Sequence, residues 1–78
     1  MSVVWLNGRL LPAAEARIDP ADRGFTLGDG LFETIRVAGG TARHLDRHLT
    51  RLADSAALLG LPLPHDAAAL ADAADALI

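Results

Sequence analysis

The spacing of apolar residues along this chain changes period once, near Leu45. Before that point they come in short runs split by turn signals. Val3 to Leu6 precedes Asn7-Gly8, and Leu10-Leu11 follows it. An Asn-Gly pair between two such runs predicts a hairpin with a type I′ turn. Pro12 to Asp22 is mixed, polar and broken by Pro20, and reads as a connection. Glycines at 24, 28 and 30 mark irregular backbone, and Leu31 to Val37 then predicts a strand. Gly39-Gly40 supplies a second turn, so Thr41 to Leu45 is expected to pair back as a fourth strand. After it, Leu45, Leu49, Leu52, Ala56 and Leu59 recur at steps of four and three, as one face of an α-helix does. Asp46 is placed to cap that helix, and Gly60 with Pro62 and Pro64 stops it. Asp66 is expected to cap a last helix through Leu70, Ala73, Ala74 and Leu77.

The order ββ–ββ–αα predicts an α+β fold, with two helices on a small, mostly antiparallel sheet. The 78 residues are enough for one small domain, 1-78. Its apolar end, Leu77-Ile78, reads as a truncation of something longer.

Composition narrows the classes of function. Apolar residues make up 51 %, too many for a disordered segment, yet no run approaches the roughly 20 residues that span a bilayer. The start, MSVVWLNG, lacks the features of a signal peptide, and there is no cysteine for disulfides or thiolate metal sites. These features predict a cytoplasmic protein without a membrane partner. A net charge of −3 argues against a general nucleic-acid binder. All seven basic residues are arginine, so no side-chain amine can form a Schiff base.

Four groups of residues are candidates for chemistry. Gly28-Asp29-Gly30 suggests a phosphate cradle but lacks the known glycine spacings; structural turn glycines, with Asp29 on local backbone donors, are the better reading. His44 and His48 are four apart without a third ligand, so packing of His48 with one bonded nitrogen outweighs a metal site. Arg51 lies off the leucine stripe. By spacing it is a surface arginine paired with Asp54, although its planar fork also suits phosphate. Alternation puts Leu31, Glu33, Ile35 and Val37 on one side of the expected strand and Phe32, Thr34 and Arg36 on the other. Glu33 needs a polar partner if buried. Phe32, Thr34 and Arg36 fit either a pocket for an anionic substrate or an ordinary half-exposed strand.

The block DRGFTLGDGLFETIRV, the Gly39-Gly40 turn, and His48-Leu49-Thr50-Arg51-Leu52 with Asp54-Ser55-Ala56 resemble the N-terminal domain of class IV aminotransferases, the fold-type IV pyridoxal-phosphate enzymes. The resemblance covers almost the whole chain. It implies pyridoxal 5′-phosphate as cofactor, with Arg51 binding its phosphate and Phe32, Thr34 and Arg36 on the substrate side. It also implies a cofactor-holding lysine beyond Ile78, a small anionic amino-acid-like substrate and a homodimer. Without that lysine these 78 residues alone should be inactive. Branched-chain members usually carry tyrosine where Leu27 stands and glycine where Thr34 stands; D-amino-acid transaminases tend to have tyrosine in place of Phe32. Arg43 replaces a commoner aromatic or aliphatic residue. The pattern looks most like aminodeoxychorismate lyase, which releases pyruvate to leave 4-aminobenzoate for folate synthesis. The alternatives are an amino-acid transaminase, branched-chain or D-amino acid, and a non-catalytic interaction or dimerisation module.

Overall fold

The computed structural model describes residues 2–78, in two units that meet in sequence at Gly30 and Leu31. In the first unit, β1 (Val3–Leu6) and β2 (Arg9–Pro12) form the expected antiparallel hairpin, with Leu6 opposite Arg9. Asn7 and Gly8 both have positive φ, 51° and 89°, as a type I′ turn requires. A single 3-10 turn, Ala13–Glu15, follows.

The glycine-rich stretch is more regular than the sequence suggests. A short helix, α1 (Arg23–Leu27), is capped by the Asp22 carboxylate, which accepts from the Gly24 N–H at 2.7 Å. Gly28 ends it in the left-handed region, φ 71°. Gly24 is needed for space: a Cβ there would lie 2.9 Å from Asp22 Oδ1 and 3.2 Å from the Asp29 carbonyl oxygen. Asp29 also differs from expectation. Its Oδ2 accepts from Arg23 Nε at 2.8 Å, an exposed ion pair, where local backbone donors had been expected.

The second unit begins with a run that has no regular secondary structure. The strand expected over Leu31 to Val37 is reduced to β3 (Val37–Ala38), which pairs antiparallel with β4 (Thr41–Ala42). Residues 31–36 have no ladder partner among the described residues and form no regular element. One bond continues the pairing: the Arg43 N–H donates to the Arg36 carbonyl at 2.7 Å. The α+β class holds, and its four strands divide between two separate two-stranded sheets.

The main helix, α2 (Leu45–Leu59), starts one residue before Asp46. Its first flanking residue is His44, whose left-handed backbone (φ 55°) turns the chain out of the hairpin. Asp46 therefore lies inside the first turn, too late to cap. Its charge meets the positive end of the helix dipole instead. Leu45, His48, Leu49, Leu52 and Ser55 are half-buried and Ala56 is buried, whereas Leu59 is exposed. Gly60, φ 70°, closes the helix as expected. The last helix, α3 (Ala67–Leu77), has Asp66 as its cap, accepting from the Ala69 N–H at 2.8 Å.

Candidate functional site

One cluster in the second unit joins residues far apart in sequence. Glu33 stands in the run that precedes β3, and His48 and Arg51 stand on α2, fifteen and eighteen residues later. The two helical residues are three apart and so neighbour each other on the helix surface. Alternation along residues 32–36 leaves Phe32, Thr34 and Arg36 exposed and Glu33 and Ile35 half-buried, while Leu31 and Val37, expected on the side of Glu33, are exposed, so the two predicted sides survive only in the middle of the run.

The Glu33 carboxylate is fully engaged. Its Oε1 accepts from Arg51 Nε at 2.7 Å, and its Oε2 accepts from Arg51 Nη2 at 2.6 Å. Oε2 also takes His48 Nδ1 at 2.8 Å. The arginine contact is a side-on, two-bond fork, the strongest common geometry for this pair. An ionised carboxylate only accepts, so His48 must carry a proton on Nδ1. Arg51 and His48, through these bonds and their charge, lower the Glu33 pKa from 4.5 to about 2, against the opposing effect of burial. The same bonds raise that of Arg51.

Arg51 therefore engages Glu33, where spacing alone had offered Asp54. Its side chain remains 70 % exposed while that of Glu33 is 9 % exposed. The pair thus has a covered acid and an accessible base. A guanidinium has five N–H donors, and this contact uses one on Nε and one on Nη2. Nη1 and the second Nη2 proton form a separate end-on edge. An open groove of about 410 Å³ runs along α2, lined by Asp46, Arg47, Thr50, Arg51, Asp54 and Ser55. Its two carboxylates balance its two guanidiniums, so anion selectivity can come only from where the fork points.

His48 has one bonded nitrogen, as the packing reading required. His44 immediately precedes the helix. Glu33 is the member that the motif reading missed: its need for a partner was visible, but neither partner could be identified from spacing.

Residues 30–78 match the family model described as amino-transferase class IV. Over 67 residues, 86 % of the chain, the sequence is 43 % identical to a D-alanine aminotransferase of Bacillus licheniformis. It is 35 % identical to a D-alanine aminotransferase of Listeria innocua over 75 residues, 96 % of the chain. It is 38 % identical to a putative branched-chain-amino-acid aminotransferase of Methanocaldococcus jannaschii over 61 residues, 78 % of the chain. The aligned parts are 24 %, 26 % and 21 % of these relatives, so the chain spans about a quarter of their length.

Proposed function

The chain belongs to the class IV aminotransferase family, and from that premise we propose that it forms the phosphate-binding wall of a pyridoxal 5′-phosphate site in an amino-acid transaminase. The observation that carries this reading is the exposed Arg51 fork, held on one edge by Glu33, with no bond to its other edge among the described residues. That edge fits two oxygens of a phosphate. The chain's side chains include no amine for the aldehyde, and we assign that role to the remaining length of the full protein. When bound, the cofactor supplies an electron sink for the substrate carbon.

In this chain Arg51 binds the phosphate. Phe32, Thr34 and Arg36 share the exposed side of the run and shape the substrate side, Arg36 supplying a cation for a substrate carboxylate. The same proposal includes a homodimer.

The substrate class is drawn from the relatives. Leu27, Phe32 and Thr34 favoured aminodeoxychorismate lyase, but two of the relatives named above are D-alanine aminotransferases. They support the transaminase alternative over the lyase, and a D-amino acid as amino donor. Membership in a family of enzymes also weighs against a non-catalytic module. Incubating the full-length protein with D-alanine should form pyruvate beyond one equivalent per site only when 2-oxoglutarate is added as amino acceptor. Pyruvate from aminodeoxychorismate without any acceptor would overturn the transaminase reading in favour of the lyase. Turnover of branched-chain L-amino acids but not D-alanine would overturn only the donor assignment. Among the described residues, no helix is long and apolar enough to cross a membrane.

A further inference from the structure

We propose that Glu33 is a positioning residue for Arg51, holding the side-on edge of the guanidinium so that its end-on edge is presented to a phosphate oxygen pair. This rests on the phosphate reading of Arg51. Three observations support it. First, the two bonds at 2.7 and 2.6 Å make the carboxylate and guanidinium nearly one rigid plate, which removes rotation about the last torsions of the arginine. Second, the orienting force comes from outside the helix. Glu33 lies eighteen residues before Arg51, and an exposed arginine on a helix surface has many rotamers of similar energy without such a tether. Third, the tether is itself fixed. His48 donates to Oε2 at 2.8 Å from one turn earlier on α2, so the carboxylate cannot swing away from Arg51 without losing a second bond.

Glu33 has another imaginable role, as an occupant that competes with the incoming anion. The geometry favours positioning. The carboxylate takes Nε and one Nη2 proton, and the remaining protons on Nη1 and Nη2 point along a different edge. A phosphate can therefore join the cluster without displacing Glu33. The glutamate's side chain is the covered partner and that of the arginine the exposed one, as expected of a bracket behind a binding group.

The test measures equilibrium binding of pyridoxamine 5′-phosphate and of pyridoxamine to the full-length protein, with no turnover involved. The variants are Glu33→Gln, Arg51→Ala and the double variant. Glu33→Gln keeps the side-chain shape and removes its charge. It should weaken binding of the phosphorylated ligand about tenfold, a mid-range coupling for residues of one hydrogen-bond network. Pyridoxamine affinity should not change, and the effect should vanish in the Arg51→Ala background. In the Glu33→Gln protein, the Arg51 Nε–H should also exchange faster with solvent in nuclear magnetic resonance spectra. Unchanged or tighter phosphate-ligand binding by Glu33→Gln, with Arg51→Ala still weakened, would overturn the positioning role and leave the phosphate reading standing. Equal weakening for both ligands would also overturn it, as the mark of a general structural defect. If Arg51→Ala keeps the wild-type preference for the phosphorylated ligand, the phosphate reading fails and this inference fails with it.

Discussion

Two ion-paired regions of this chain show how differently similar contacts can behave. In the first unit, Arg23 pairs with Asp29 six residues later, beside a cap in which Asp22 holds the Gly24 N–H. In the second, Glu33 binds His48 and Arg51 at separations of fifteen and eighteen. Both have a carboxylate near 2.8 Å from a basic nitrogen. The Arg23 and Asp29 side chains are 72 % and 39 % exposed, and theirs is a single bond between local residues. The Glu33 carboxylate is covered, receives three bonds and titrates far from its ordinary range. Burial and bond number, more than distance, separate a solvated surface pair from a group whose protonation matters to the fold.

The largest expected difference is in acid. Because the folded pKa of Glu33 lies below its ordinary 4.5, the cluster's contribution to stability is fully present above about pH 4.5. It is lost as pH falls toward about 2, where Glu33 takes up a proton and the fork opens. Carbon-detected titration of the Glu33 carboxyl should show the low midpoint; a midpoint near 4.5 would reduce the cluster to the standing of the surface pair. A smaller effect is expected from Gly24→Ala, whose methyl would press on Asp22 Oδ1 and displace the cap of α1. The cost should be about 1 kcal/mol in denaturant unfolding, the usual worth of such a cap. No change would mean that the cap opens at no cost. The smallest belongs to Arg23→Ala, expected to stay within about 0.5 kcal/mol because exposed pairs contribute little. A loss as large as that from Gly24→Ala would break the contrast between the two regions.

The same division explains what was legible in the sequence. Features set by neighbouring residues could be read directly: the Asn7-Gly8 and Gly39-Gly40 turns, the Gly60 stop and the Asp66 cap. Local reasoning failed at α1 and its Asp22 cap, at the entry to α2, and where a non-local partner decided the outcome. Leu31 to Arg36 alternates like a strand, but strand formation depends on a neighbour the described residues do not supply. Asp46 looked like a cap because a histidine in the left-handed region is an uncommon way to enter a helix, and nothing in His44 announces it. Arg51 stood out by its motif, yet Glu33 did not. Pairing residues across eighteen positions requires knowing how the chain folds back between them.

The hairpin between Glu33 and Arg51 also determines how much chain is left slack. The Arg36–Arg43 backbone bond short-circuits the loop, and α2 begins at Leu45. What lies outside the hairpin and helix is only Thr34, Ile35 and His44. The entropy of closing a ring falls as its free length shrinks, so little ordering remains for the carboxylate to impose once hairpin and helix exist. The cluster should act as a latch on a preformed ring, appearing and disappearing together with the first turns of α2.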